Sequence, residues 1–153
     1  MNHQIMKYIA ILVAAMVVAT GVRAQQLSLD AVSPGTLASR VGSNVSATSL
    51  SVSGSVDVRD LDFISSKMTS LTTLDLGNAS IAAFEGDRSM FSLSTCRADE
   101  LPRMSLAGLK ATTVVLPSSL TSVGDGALAG SALTSLTIPS GVKNIGAGAF
   151  ASC

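Results

Sequence analysis

Four short segments of the chain alternate small polar side chains with large apolar ones. They are residues 49–52, 73–76, 113–116 and 135–138, and only Val115 breaks the alternation. A period of two is typical of a strand with one buried face. We therefore predict four strands whose apolar side chains point into a core. These inward residues are Leu50, Val52, Leu74, Leu76, Val114, Leu116, Leu136 and Ile138.

The last two of these strands belong to a repeat of 22 residues. A shift by this number places Leu106 on Leu128 and then on Phe150, and it superposes the Pro that ends each strand, Pro117 and Pro139. One unit has too few apolar side chains to bury them alone, so several units must stack and share a core. We therefore predict an α/β solenoid with short parallel strands roughly 4.8 Å apart. Glycine recurs at the same shift, in the pairs Gly124 and Gly146, and Gly126 and Gly148.

Two helices are predicted upstream of the regular repeats. Pro34-Gly35-Thr36 precedes apolar residues at Leu37 and Val41, which indicates a short capping helix. Residues 57–68 carry apolar side chains at helical spacing, and Asp57 can accept the first backbone N–H groups of that helix. The apolar residues of this second helix are Leu61, Ile64 and Met68.

These patterns divide the chain into five parts. We assign residues 25–48 to an N-terminal cap, 49–81 to the first, degenerate repeats, and 99–153 to regular repeats of which the last is incomplete. Residues 82–98 form an irregular charged insertion, because 40 residues separate Leu76 from Leu116 where one repeat needs 22. Residues 90–93, Met-Phe-Ser-Leu, can hide a further degenerate unit.

Residues 1–24 have the three parts of a bacterial secretory signal peptide. A basic start ending at Lys7 precedes residues 8–22, of which 13 of 15 are apolar. Val22 and Ala24 then provide modest side chains at the expected cleavage site. An apolar run of this length is shorter than the roughly 20 residues that span a bilayer. The segment predicts export, with membrane contact only through the signal peptide.

The charged residues of the mature chain argue against catalysis. After cleavage no His is left, which excludes His-ligated metal sites and Ser-His or Cys-His nucleophile pairs. Asp57, Asp60 and Asp62 lack the Gly and Glu positions of a calcium loop and suit a helix N-terminus. Asp99 and Glu100 fit a solvated surface better than a pair of catalytic carboxylates. We expect no catalytic, metal or cofactor site. The net charge is zero for the full chain and −2 after cleavage, with eight basic and ten acidic residues left, and neither value favours nucleic acid.

Two cysteines are separated by more than two repeat units. Cys96 and Cys153 enter an oxidising compartment on export, and pairing requires α-carbons within about 7 Å. The sequence leaves that pairing open. Cys153 takes the position that Leu109 and Ser131 hold in the preceding units, which predicts a buried packing role.

The segment LPSSLTSVGDGALAGSALTSLTIPSGVKNIGAGAFASC resembles the BspA-like leucine-rich repeats of bacterial surface proteins. Their units pair an LTSLTIP-type strand with a V-x-x-I-G-x-x-A-F turn, in which Leu128 replaces the Phe that Phe150 retains. The segment from SPGTLASR to LGNASI looks like the cap region of such proteins from Bacteroidetes, so the likeness covers residues 34–153. It implies a leucine-rich-repeat solenoid with an N-terminal helical cap, secreted or exposed on the cell surface. It also implies binding of a host or other extracellular protein, as in adhesion, without catalysis.

The outward positions of the four strands are the candidate protein-binding face. They should form columns of small hydroxyl side chains across which a partner can lie. The alternative is a bare surface, because aromatic and Arg anchors are absent from these columns. The candidate residues are Ser49, Ser51, Thr73, Asp75, Thr113, Val115, Ser135 and Thr137.

Two other functions stay open. The chain ends at Cys153 in the middle of a unit, so it can be a truncated structural or assembly fragment of a longer surface protein. Such an open end exposes apolar surface and strand edges, and self-association is expected there. A carbohydrate-binding module is the other alternative, although the aromatic residues are placed mainly for packing. These are Phe63, Phe84, Phe91 and Phe150.

Overall fold

The computed structural model describes residues 25–86 and 95–153. The signal peptide predicted at residues 1–24 and the degenerate unit considered at residues 90–93 lie outside these ranges. The helices are α1 (Leu37–Val41) and α2 (Val58–Lys67). The strands are β1 (Gln26–Val32), β2 (Ser49–Val56), β3 (Thr73–Ile81), β4 (Phe84–Glu85), β5 (Thr95–Cys96), β6 (Glu100–Leu101), β7 (Thr113–Val115), β8 (Ser122–Val123) and β9 (Asn144–Ile145).

The main sheet is parallel and has the order β1-β2-β3-β7. The strands predicted at residues 49–52 and 73–76 are confirmed, and they continue to Val56 and Ile81. The strand predicted at residues 113–116 is observed as β7. Its inward side chains and those of β2 and β3 are buried, as the alternation predicted. The result is a repeat α/β fold with parallel strands.

Strand β1 was not predicted, and its residues were assigned to the cap. Its sequence, QLSLDAV, carries the same alternation as β2, and Leu27, Leu29 and Val32 are buried. Near its end the chain bulges, with Ala31 at a φ of 52°. Gly54 of β2 lies beside this bulge, where an added Cβ would stand 2.5 Å from the Val32 nitrogen. The glycine therefore permits the close approach of the two backbones.

The prediction of a strand at residues 135–138 is wrong, because this segment pairs with no strand of the described chain. Its side chains still alternate, with Leu136 and Ile138 half-buried against the core. The backbone N–H groups of Thr112 and Thr113 donate to the Thr72 carbonyl and so hold β7 against β3. Thr134 makes no corresponding hydrogen bond to Thr112. No described strand packs on its outer side either, and within the described residues the segment contacts the core through Leu136 and Ile138.

Helix α2 begins where the sequence predicted. Asp57 is its N-cap, and the Asp57 carboxylate accepts the N–H of Arg59 at 2.9 Å. The Asp60 carboxylate accepts the Asp57 N–H at 2.9 Å and so completes a capping box. These bonds confirm the interpretation of the acidic residues at this point as caps.

The repeats beyond residue 99 stack through hydrogen bonds that recur from unit to unit. Leu106 N–H donates to Ala127 C=O, and Leu128 N–H donates to Ala149 C=O, both at 2.9 Å. Strands β8 and β9 lie in the segments predicted to be turns, and together with β6 they form a second parallel sheet in the order β6-β8-β9. At Gly124 an added Cβ would stand 2.7 Å from the Arg103 nitrogen, so only glycine lets these backbones approach so closely.

The charged insertion contains a small hairpin. Strands β4 and β5 pair antiparallel, with Phe84 opposite Cys96. The Arg59 guanidinium lies 5.0 Å from the centre of the Phe84 ring, in cation–π contact. This contact holds Phe84, at the start of the predicted insertion, against helix α2.

Candidate protein-binding surface

The register of the main sheet aligns the outward side chains in two columns. One column is Gln26, Ser49, Thr73 and Thr113; the other is Ser28, Ser51, Asp75 and Val115. Six of the eight candidate residues therefore lie together on one face. Gln26 and Ser28 were not predicted, although the polar-apolar alternation of residues 26–29 marks them as outward positions of a strand.

The other two candidates lie outside this arrangement. Ser135 and Thr137 are exposed, but they belong to the segment that pairs with no described strand. They therefore do not extend the two columns by a hydrogen-bonded strand. We define the main-sheet face by the eight residues of the two columns alone.

The hydroxyl groups on the main-sheet face are available to a ligand. Within residues 25–86 and 95–153, no hydrogen bond involves the side-chain oxygen of Ser49, Ser51, Thr73 or Thr113. The three threonines one position earlier differ in this respect. The hydroxyl of Thr72 donates to the Thr48 carbonyl at 3.0 Å, and corresponding bonds hold Thr48 and Thr112. The hydroxyls of Thr48, Thr72 and Thr112 thus link neighbouring strands, whereas the hydroxyls of the main-sheet face point to solvent.

One end of the face differs from the hydroxyl surface. Val115 is 45% exposed, which is unusual for an apolar side chain of its size in this chain. Asp75 lies beside it in the register and is the one charged residue of the main-sheet face. The Asp75 carboxylate accepts the Gly77 N–H at 2.9 Å, so its orientation is set by the backbone. The face therefore combines free hydroxyls, one oriented carboxylate and one exposed apolar group.

Among residues 25–86 and 95–153, the side chains of His, Cys, Asp and Glu do not gather into a group of three or more that could hold a metal ion. The hydrogen bond to the Asp57 carboxylate raises the pKa of the Arg59 guanidinium above its ordinary value. An arginine is already fully charged at neutral pH, so this pair is structural.

Cys96 and Cys153 are not joined in a disulfide. Cys96 is buried in the hairpin, whereas Cys153 is exposed, so the buried role predicted for Cys153 is wrong. Leu109 and Ser131 are buried at this position because the following unit covers each of them. No described residue covers Cys153 in that way, and its Sγ lies 3.3 Å from the Ser131 hydroxyl and from the Leu128 carbonyl oxygen.

No helix among the described residues is long and apolar enough to cross a membrane.

Comparison with known proteins identifies the repeats. Residues 81–153 match the family model described as "BspA type Leucine rich repeat region", in six copies. The match begins at the end of β3, so it takes in the hairpin as well as the regular units. No curated protein shows significant sequence similarity to the chain. The family match confirms the resemblance found in the repeat motifs: residues 81–153 are a leucine-rich repeat region of the BspA type.

Proposed function

We propose that this protein is secreted or exposed on the cell surface and binds an extracellular protein through its main-sheet face, without catalysing a reaction. The observation that carries the proposal is the pair of columns, whose free hydroxyls stand in register across four parallel strands. A rigid sheet fixes these groups before binding, so little side-chain entropy is lost when a partner bonds to them.

The repeat family supports the same proposal. Repeat proteins of stacked units present extended surfaces to their partners, and their stability comes from neighbouring units. The apolar run at residues 8–22 and the small residues before Gln25 support export. An exported protein meets extracellular proteins, so adhesion to a host or neighbouring cell is the role we propose.

The test is to block the main-sheet face with charge. Thr113→Lys together with Val115→Lys places two long cationic side chains on exposed positions of β7. The full chain and this variant are assayed by surface plasmon resonance against a panel of purified extracellular matrix and serum proteins. We expect a partner of the unaltered chain to bind the variant at least about tenfold more weakly, which corresponds to 1.4 kcal/mol.

The matched control carries the same charge elsewhere. Thr69 and Ser70 are exposed in the loop after α2, so Thr69→Lys with Ser70→Lys adds two cations away from the face. This control should bind as the unaltered chain does. Equal binding by both double variants, or an equal loss in both, would reject the main-sheet face as the binding surface.

A further inference from the structure

The second sheet carries a surface that the proposed function does not use. Two adjoining clefts of about 380 and 360 Å³ lie beside β6, β8 and β9, and Glu100, Ser122 and Asn144 line both of them. These three residues occupy the same position in successive strands, because Glu100 pairs with Ser122 and Ser122 with Asn144. We call the two clefts together the second-sheet groove. None of its residues belongs to the main-sheet face.

Cationic side chains are concentrated along this groove. Arg97 and Lys143 line one cleft and Arg103 lines the other. Arg97 and Lys143 are exposed, and neither makes an ion pair with a described residue. The main-sheet face, by contrast, has no cation and one carboxylate. Charge therefore distinguishes the two surfaces and predicts different ligands for them.

The acidic groups of the groove restrict the ligand further. The Asp125 carboxylate accepts the Ala147 N–H at 2.8 Å, so one of its oxygens is already bonded to the backbone. Glu100 is half-buried, lines both clefts and forms no side-chain hydrogen bond to a described residue. Its carboxylate repels an anion at that point and can accept N–H groups from a ligand instead. A suitable ligand is thus anionic at its ends and carries N–H donors in the middle.

The spacing of the rungs gives the ligand a length. The backbone N–H of Thr121 donates to the Asp99 carbonyl, and that of Lys143 donates to the Thr121 carbonyl, so Lys143 lies two strand spacings beyond Asp99, which follows Arg97 by two residues. Neighbouring parallel strands are about 4.8 Å apart. A peptide in the extended polyproline II conformation advances about 3.1 Å per residue and has three residues per turn, so side chains three residues apart lie on the same side. Two strand spacings therefore correspond to about three residues of such a peptide.

We propose that the second-sheet groove binds an extended acidic peptide segment of a protein partner, with two carboxylate side chains three residues apart. The Arg97 guanidinium and the Lys143 ammonium pair with the two carboxylates, and Glu100 accepts backbone N–H groups between them. Arginine suits this task because its planar group bonds a carboxylate through two N–H donors.

The probe for this proposal is a fluorescein-labelled peptide, Gly-Ser-Glu-Ser-Ser-Glu-Ser-Gly, titrated with the full chain by fluorescence anisotropy. The same peptide with Gln in place of both Glu residues is the neutral comparison. We expect binding of the acidic peptide at low ionic strength, weakening of at least tenfold for the Gln peptide, and further weakening in 0.5 M salt as charges are screened. Equal binding of the two peptides, or no binding of either, overturns the proposal.

Variants then locate the site. Arg97→Glu with Lys143→Glu should weaken binding of the acidic peptide at least tenfold. Lys67→Glu with Lys110→Glu makes the same change of net charge at exposed positions outside the groove and should change binding less than twofold. An equal loss in both variants would mean non-specific attraction and reject the groove. Circular dichroism spectra of all variants should match that of the unaltered chain, and a fold lost only in the groove variant is checked with the milder Arg97→Gln and Lys143→Gln.

Other polyanions separate this proposal from its competitors. A short oligothymidylate and a sulfated oligosaccharide are titrated against the same variants. Tighter binding of either one than of the acidic peptide, with the same dependence on Arg97 and Lys143, would show that the groove binds another class of ligand and overturn the proposal. Thr113→Lys with Val115→Lys should leave peptide binding intact, so failure of the main-sheet face and failure of the groove remain distinguishable.

Discussion

The carboxylate of Asp60 joins two separate segments of the N-terminal part of the chain. It accepts the N–H groups of Gly35 at 2.7 Å, Leu37 at 3.0 Å and Asp57 at 2.9 Å, and the residue is only 2% exposed. Gly35 and Leu37 belong to the approach to α1, and Asp57 to the start of α2. One buried side chain therefore fixes how the two helices sit against each other.

Replacing Asp60 by Ala should destabilise the protein more than any other single change among the acidic residues of α2. Three N–H groups lose their acceptor, and each buried group left unsatisfied costs about 1–3 kcal/mol, less where water reaches it. We expect the free energy of unfolding, measured by urea denaturation, to fall by about 3 kcal/mol. Asp62→Ala, at a half-buried position of the same helix, should cost about 1 kcal/mol or less. Equal losses in the two variants would show that Asp60 does not have this joining role.

Within the main sheet, hydrogen bonds made just before each strand add to those of the strand ladders and hold the strands in register. The Thr48 carbonyl accepts the N–H of Thr72 at 2.8 Å, the N–H of Thr73 at 3.2 Å and the Thr72 hydroxyl. The Thr72 carbonyl accepts the same three groups from Thr112 and Thr113. A threonine just before each strand thus ties that strand to the preceding one. Thr134 stands at the equivalent position before residues 135–138 but makes none of these bonds to a described residue, and that segment does not join the sheet.

Thr72→Val tests this role of the threonines because it removes the hydroxyl and keeps the β-branched shape. The loss of one exposed hydrogen bond should lower the free energy of unfolding by about 1 kcal/mol. Thr69→Val is the control, since Thr69 is exposed and its hydroxyl has no hydrogen bond within the described residues. Urea denaturation of the two variants gives the comparison. A Thr72 variant as stable as the control would mean that the backbone ladder alone sets the register.

In the molecule as a whole, the local stability of each repeat unit should depend on how many neighbouring units pack against it. The N–H groups of Leu106 and Gly108 donate to the next unit, and those of Leu128 and Gly130 donate to the unit after it. The N–H groups of Gly148 and Phe150 occupy the same positions one unit later and have no acceptor among the described residues. In stacked repeats each unit contacts only its neighbours, so protection should fall along this series.

Hydrogen exchange followed by NMR measures that gradient. Leu106 and Gly108 should exchange slowest, Leu128 and Gly130 faster, and Gly148 and Phe150 close to the rate of an unprotected peptide. The comparison within one protein needs no variant, because the six amides occupy equivalent positions. Uniform protection of the first four would instead mean that the repeats open together as one cooperative unit.

The features that depend on local pattern could be predicted from the sequence alone. Alternation placed β2, β3 and β7 and identified their buried side chains, and the 22-residue shift identified the repeats. Helical spacing and a capping residue located α2. These features follow from which side of the backbone each side chain occupies, and a few neighbouring residues decide that.

Which segments pair with each other depends on contacts between residues that are far apart in the chain. Residues 26–32 and 135–138 both alternate, yet only the first joins the main sheet. Residues 122–123 and 144–145 lie in segments predicted to be turns, yet they join residues 100–101 in a second sheet. Cys153 was expected to be buried like Leu109, yet no described residue covers it. In each case the outcome depends on a hydrogen-bond or packing partner about 22 residues away. Periodicity determines which side of the strand a side chain occupies, but it does not determine whether that partner lies close enough to pair or pack.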